Sequence, residues 1–257
     1  MYERRCKAAA SQITPERLRH FVVYGGDLDL DVGSHKIFII RRNTVDNLEE
    51  AYIAPISPYV EMLLMTAIDA MKRSERIYLY RTFSPVNATR GVAGLVYESL
   101  GHTHLTKGIT LTLKPMKKKK ASMLFHWECR EGYATDSMDL GESEMSVIFP
   151  PNPAVIYQKL ESVRPNYLHV PKASNKPAFD SFFQLDGTLY FFQFTLSDGH
   201  SIKKISSAEL DIFPPKENWR FVFVIPPNCE VDVKATSEVE EFLERVRIYT
   251  AHLEIEE

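Results

Sequence analysis

The chain has 257 residues, of which 44% are hydrophobic and 25% are charged, and its formal net charge at pH 7 is −3. This balance excludes a disordered protein, because the apolar side chains suffice for a substantial core. The slightly negative charge predicts no general affinity for nucleic acid, so any such affinity requires a local basic patch.

The cysteines and the hydrophobic runs narrow the class of protein further. Cys6, Cys129 and Cys229 are far apart and show no CxxC spacing, which favours a reducing compartment over a disulfide or zinc framework. No apolar run approaches the roughly 20 residues that span a bilayer, and residues 1–21 lack the apolar core of a signal peptide. We therefore expect an intracellular protein that has no membrane partner.

Residues 1–80 are predicted to be a lead-in or linker segment that packs on the main domain. Ser57 followed by Pro58 is a helix start signal, and apolar residues repeat at helical spacing after it. Thr14 followed by Pro15 gives the same signal earlier in the chain. In chain order, the predicted elements are a helix at 14–21, strands at 36–40 and 50–56, and a helix at 57–74.

Residues 81–257 are predicted to form the main domain, in which helices and strands alternate. This order predicts an α/β fold with a central mixed sheet flanked by helices. In chain order, the predicted elements are a helix at 88–101, strands at 108–115 and 121–130, a loop at 131–144, a short helix at 152–162, a strand at 166–171, a hairpin that turns at 186–187, a turn and a helix within 198–214, a strand at 218–227, a helix at 238–246 capped by Thr236 or Ser237, and a strand at 247–255.

The hairpin is the strongest local signal in the sequence. Asp186 and Gly187 separate two aromatic-rich runs, and a two-residue type I′ turn needs the positive φ that this pair tolerates. A turn of this type makes Leu185 face Thr188. The register of the whole hairpin follows from that pair.

The same register places Asp180 opposite Gln193, and cross-strand partners have Cβ atoms roughly 5 Å apart. A carboxylate in so apolar a hairpin must be paired, hydrogen-bonded or bound to a metal. Two converging oxygen-bearing side chains predict a site for a hard cation such as Mg²⁺. The alternative is structural: Asp180 caps a turn after Pro177, and Gln193 satisfies a neighbouring backbone group.

Four consecutive lysines form the basic patch of the chain. Lys117, Lys118, Lys119 and Lys120 join two predicted strands and are expected to form a solvated hairpin tip. As alternatives, these lysines, together with Lys204, bind the phosphates of a nucleic acid, or they act as a weak nuclear-import signal.

Residues 84–254 resemble the C-terminal domain of the Crinkler effectors and of the trypanosome retrotransposon hot spot proteins, which belong to the restriction-endonuclease-like PD-(D/E)xK superfamily. The resemblance rests on four elements that occur in order. They are the helix "RGVAGLVYESLGH", with Glu98, and the motifs Phe179-Asp180-Ser181, Phe192-Gln193-Phe194-Thr195 and His200-Ser201-Ile202.

This resemblance implies a restriction-endonuclease-like fold and a nuclease that depends on Mg²⁺ or Mn²⁺. It makes Asp180, Gln193 and Glu98 the metal ligands. Gln193 stands where the PD-(D/E)xK signature has an acid, and Thr195 stands where it has a lysine. The cation that stabilises the transition state would then come from His200 or from Lys203, with Lys203 slightly favoured over His200 and Lys204 as a further alternative.

The resemblance also implies partners. A P-loop NTPase module usually precedes this domain, yet the chain has no GxxxxGK[ST] motif, so residues 22–80 resemble the segment that follows such a module and a separate NTPase partner is possible. The expected substrate is nucleic acid, DNA rather than RNA. The alternative function is a catalytically silent effector that binds nucleic acid or a protein through the same cleft.

Overall fold

The fold is described from a computed structural model of the chain. Its contacts divide the chain into two compact units, which are described separately: unit 1 comprises residues 1–100, 173–175 and 255–257, and unit 2 comprises residues 101–172 and 176–254. The boundary predicted after residue 80 stays a prediction. The structure describes residues 2–23, 37–42, 51–121, 124–128, 143–172, 178–202, 205, 210–235, 239, 243 and 246–256.

Unit 1 contains helices and a two-stranded antiparallel ribbon. Both predicted helix starts are confirmed, since Thr14 Oγ1 accepts the N–H of Arg17 and Ser57 Oγ accepts the N–H of Val60. The elements are α1 (Tyr2–Ala10), α2 (Pro15–Val23), β1 (Phe38–Arg42), β2 (Ala51–Pro55), α3 (Pro58–Asp69), α4 (Arg73–Phe83) and the first part of α5 (Arg90–Lys107).

The helix predicted at 57–74 is wrong at its C-terminal end, because α3 ends at Asp69 and α4 begins at Arg73. Lys72 has an extended backbone, and its N–H donates to the carboxylate of Glu75 over 2.7 Å. This bond caps a new helix, so helical spacing continues in the sequence while the backbone breaks.

Unit 2 contains an eight-stranded mixed sheet in the order β6-β3-β14-β12-β10-β9-β8-β7 and a four-stranded sheet in the order β11-β13-β5-β4. The predicted class, mixed α/β with a large mixed sheet, is thereby confirmed. The strands are β3 (Ile109–Pro115), β4 (Lys117–Ala121), β5 (Leu124–Glu128), β6 (Met145–Phe149), β7 (Ala154–Tyr157), β8 (Leu168–Pro171), β9 (Ser181–Leu185), β10 (Thr188–Phe194), β11 (Gly199–Ser201), β12 (Trp219–Ile225), β13 (Asp232–Ala235) and β14 (Arg247–His252).

Strand directions in the large sheet follow from the connections. The two-residue turn makes β9 antiparallel to β10. Strands β10, β12 and β14 run parallel to one another, and the longer segments between them allow the crossover connections that parallel strands need. Aromatic residues alternate along these strands, so Phe182, Phe191, Phe221 and Phe223 share one buried face. Trp127 of the smaller sheet belongs to the same core cluster.

Two predictions for unit 2 are wrong. Residues 152–162 are not a helix: β-branched Val155 and Ile156 lie in β7, which pairs with β8. Residues 117–120 are not a hairpin tip but part of β4, because pairing with β5 satisfies their backbone groups. A lysine-rich edge strand also discourages pairing with other chains.

Several predicted elements lie largely outside the residues that the structure describes. Most of the loop at 131–144, of the helix at 238–246 and of the helix within 198–214 lies outside them. Strands β6, β11 and β13 were not predicted.

Helix α5 ends in unit 2, where its C-terminal part packs on β10. The ring of His102 lies 5.3 Å from that of Phe194, in an edge-to-face arrangement. Gly101 lies so close to Phe194 that no side chain fits between them. The helix therefore covers the sheet face that carries Phe194.

Substituting Gly101 by alanine should lower the free energy of unfolding by about 1–3 kcal/mol, because the added Cβ would lie 2.1 Å from Cε1 of Phe194. Gly94, on the same helix, is the matched control, since no atom lies within 4 Å of a Cβ added there. Gly94→Ala should raise stability by up to about 1 kcal/mol. Urea denaturation measures both variants, and equal effects would contradict this packing.

Candidate active site at the open end of the β9–β10 hairpin

The hairpin register predicted from the sequence is confirmed. Asp186 and Gly187 have φ values of 48° and 79°, as a type I′ turn requires, and Leu185 pairs with Thr188. The two strands stay in this register to the opposite end of the hairpin, where the candidate site lies.

Asp180 and Gln193 meet at that end, as predicted. Nε2 of Gln193 donates a hydrogen bond of 2.7 Å to Oδ2 of Asp180, and the backbone N–H of Phe194 donates a second bond of 2.7 Å to the same oxygen. The N–H of Asp180 donates to the carbonyl of Phe192 over 2.8 Å. Both side chains are half-buried.

The carboxylate of Asp180 has a structural role in this arrangement. Strand β9 begins at Ser181, and Oδ2 of Asp180 supplies the acceptor for the N–H of Phe194 just beyond that point. Hydrogen bonds to a charged acceptor contribute roughly 1.5–3 kcal/mol each. Asp180 thus accepts a backbone N–H at the end of β10, and Gln193 donates to Asp180, whereas Pro177, after which the structural alternative places a capped turn, lies outside the described residues.

The same two side chains could hold a hard cation. Oδ2 of Asp180 accepts both hydrogen bonds described above, and the oxygens of this acid and this amide are the ligands that such an ion would use. Oxygen donors of this kind suit Mg²⁺, although the neutral amide supplies no charge. Within the part of the chain that the structure describes, no cluster of three or more His, Cys, Asp or Glu side chains is arranged for a metal.

Thr195 follows β10 and is buried. Its N–H donates to the carbonyl of Val224 over 3.1 Å, and its hydroxyl accepts the N–H of Ser197 over 3.0 Å. Thr195 therefore shapes the turn between β10 and β11.

His200 lies in β11, at the end of that turn, and is half-buried. Its ring packs against Phe223 at 5.4 Å between centroids. Phe223 is the register partner of Gln193 on the neighbouring parallel strand, so the two side chains share one face of the sheet. His200 and Gln193 are therefore both neighbours of Phe223, and the role of His200 at the site stays a prediction.

The sequence did not single out Phe223 as a site residue. The alternation of aromatic and β-branched residues in "WRFVFVI" predicts the strand but not which strand lies beside β10. That information comes only from the sheet order.

The roles of the remaining predicted site residues stay predictions. Glu98 is half-buried on α5 in unit 1, and its role as a third metal ligand stays a prediction. Lys203 and Lys204 lie outside the described residues. Lys117 is exposed at the start of β4.

His102 is a buried titratable group on the other face of β10. It packs on Phe194, whereas the adjacent Gln193 points to the opposite face. Burial lowers the pKa of His102 to about 4, and its Nε2 has no hydrogen-bond partner among the residues that the structure describes. The ring is therefore neutral at pH 7 and serves packing.

Comparison with known proteins yields no family model, no curated protein and no solved structure that matches the chain. Among the described helices, none combines the length and the hydrophobicity that a membrane-spanning segment needs.

Removing the carboxylate of Asp180 should destabilise the hairpin. Asp180→Ala leaves the N–H of Phe194 and the amide of Gln193 without this acceptor, so the free energy of unfolding should fall by about 2–3 kcal/mol. Gln184→Ala, on the outer part of the hairpin, should change it by less than about 1 kcal/mol. Chemical denaturation measures both, and equal losses would contradict the structural role of Asp180.

Protonation of His102 should cost stability in acid. Its pKa in the folded chain lies below the ordinary value of 6.5, so the unfolded chain binds more protons between about pH 6.5 and 4. The free energy of unfolding should fall across that window by up to about 3 kcal/mol and be unaffected by His102 above it. Denaturation at pH 7.5 and 4.5 should show a smaller loss in His102→Phe than in the wild type. Parallel profiles for the wild type and His102→Phe would exclude this origin.

Proposed function

We propose that this chain is a nuclease-like domain of restriction-endonuclease type that hydrolyses phosphodiester bonds with Mg²⁺ or Mn²⁺. The observation that supports this proposal best is the hydrogen bond between Asp180 and Gln193 at the open end of a central hairpin, with Gln193 and His200 both beside Phe223. The resemblance of the same positions to the Crinkler-like motifs adds to it.

The residues have distinct roles in this proposal. The side-chain oxygens of Asp180 and Gln193 would hold the ion, which would polarise the phosphate and lower the pKa of a water molecule. The N–H of Phe194 and the amide of Gln193 keep the carboxylate of Asp180 oriented toward it.

His200 supplies the second function of the site. Its imidazole takes a proton from the attacking water, or in its protonated form stabilises the charge on the phosphate. In the balanced reaction the water oxygen bonds to phosphorus, and the bond from phosphorus to the leaving sugar oxygen breaks. Phe223 fixes the position of the imidazole through ring packing.

The substrate and partners belong to the same proposal. DNA is the expected substrate, and the lysines of β4 together with Lys204 would bind its backbone phosphates, because cationic side chains attract phosphates irrespective of sequence. A separate NTPase and a nuclear location are further elements of this proposal. Glu98 would complete the ligand set.

A catalytically silent effector that binds nucleic acid or a protein is the second candidate. One observation favours it: Oδ2 of Asp180 already accepts hydrogen bonds from Gln193 and Phe194, so this pair is stable without an ion. In that case the neutral amide at 193 would be a structural partner of the acid.

Cleavage assays separate the two candidates. The purified chain is incubated with plasmid, single-stranded DNA or RNA in the presence of Mg²⁺, Mn²⁺ or EDTA. Asp180→Asn keeps an oxygen acceptor but removes the charge, so cleavage should fall by about 100-fold or more. Asp186→Asn at the turn is the matched control, since asparagine also tolerates positive φ, and it should retain full activity.

Each outcome assigns one function. Metal-dependent cleavage that only Asp180→Asn abolishes supports the nuclease. Cleavage that survives in Asp180→Asn places the activity at another site or in a contaminant. Binding of DNA without cleavage under any of these conditions supports the silent effector.

A further inference from the structure

Unit 1 contains a cavity of about 300 Å³ that is separate from the candidate active site. The ribbon of β1 and β2 forms one wall, and the first turns of α3 and α5 form the others. Its walls carry Arg41, Tyr52, Pro55, Glu61, Gly91 and Leu95. A volume at the lower end of the range for ligand sites suits a small molecule and excludes a folded partner.

The cavity carries opposite charges on two different walls. Arg41 projects from β1 and is exposed, and its register partner Tyr52 lies beside it on the same face of the ribbon. Glu61 projects from the first turn of α3 and is half-buried. A ligand of either net charge would meet repulsion from one wall, whereas a dipolar ligand would satisfy both.

The rest of the lining fits an apolar body with one anionic end. Leu95 is almost fully buried, and Pro55 adds apolar surface. Ser57 and Pro58, at the N-terminus of α3, line the cavity together with Gly91 from the first turn of α5. Helix N-termini favour negative charge, as Arg41 does.

Glu61 is suited to the cationic end. Burial raises the pKa of its carboxyl group, and the nearby charge of Arg41 offsets part of this effect. Partial desolvation strengthens a hydrogen bond from an ammonium group to this carboxylate. Gly91 allows α5 to lie close to β2, since a Cβ there would lie 3.3 Å from the carbonyl oxygen of Ile53.

We propose that this cavity binds a small zwitterion, an α-amino acid with an apolar side chain. Arg41 binds the carboxylate, Glu61 binds the ammonium group, and Leu95 and Pro55 contact the side chain. The chain therefore has a ligand site in unit 1 that is independent of the nuclease proposal.

Three probes of one shape test the two charged contacts separately. L-Phenylalanine has both groups, 3-phenylpropionate lacks the ammonium group, and 2-phenylethylamine lacks the carboxylate. Isothermal titration calorimetry with the full chain should show L-phenylalanine binding with a dissociation constant below about 10 mM, and weaker binding of the other two.

Two substitutions then assign the contacts. Glu61→Gln should weaken L-phenylalanine and 2-phenylethylamine by about tenfold or more, whereas 3-phenylpropionate should bind no more weakly, since its repulsion by Glu61 is removed. Arg41→Gln should weaken L-phenylalanine and 3-phenylpropionate but not 2-phenylethylamine. Glu16→Gln, an exposed position on α2, makes the same charge change away from the cavity and should have no effect.

The proposal fails if L-phenylalanine does not bind up to about 10 mM, if the three probes bind equally, or if neither cavity substitution changes its affinity. Thermal unfolding of each variant shows whether it is folded. Should Glu61→Gln be unfolded, the Arg41→Gln series with the three probes still decides the question. None of these readouts depends on DNA cleavage.

Discussion

The carboxylate of Asp180 holds the open end of the central hairpin together. One oxygen accepts both the amide of Gln193 and the backbone N–H of Phe194, so the side chain replaces a backbone acceptor where β9 begins. This constraint couples the fold to the candidate chemistry. The hydrogen bonds that connect β9 to β10 also fix the side chain of Asp180 in position. An ion that binds at the site would therefore bind a carboxylate that is already oriented.

Sequence reasoning identified this part of the molecule because its signals are local. Asp186 and Gly187 specify the turn, and the turn specifies the register that brings Asp180 to Gln193. The position of His200 could not be derived in the same way. It depends on the pairing of β10 with β12 and on the packing of a second sheet against Phe223, which join distant parts of the sequence.

The errors in the predicted secondary structure also arise from contacts between distant parts of the sequence or from helix capping. Residues 154–157 have a pattern that suits either a short helix or a strand, and pairing with β8 decides in favour of the strand. Lysines 117–120 include no residue type that favours a turn, and they form a strand that pairs with β5. In α3, helical periodicity runs past Asp69, but the bond between Lys72 and Glu75 starts a new helix. Tertiary pairing and capping thus override the local pattern.

The parallel arrangement of β10 and β12 has a consequence for how the chain folds. The hairpin closes over two residues, so Asp180 and Gln193 can meet within microseconds of collapse. Phe223 and His200 reach them only after a crossover connection has formed, which carries a larger loop-closure entropy. We expect a nascent chain to acquire its acid–amide pair early and its imidazole late, so that catalytic capacity, where present, would arise only in the fully assembled sheet.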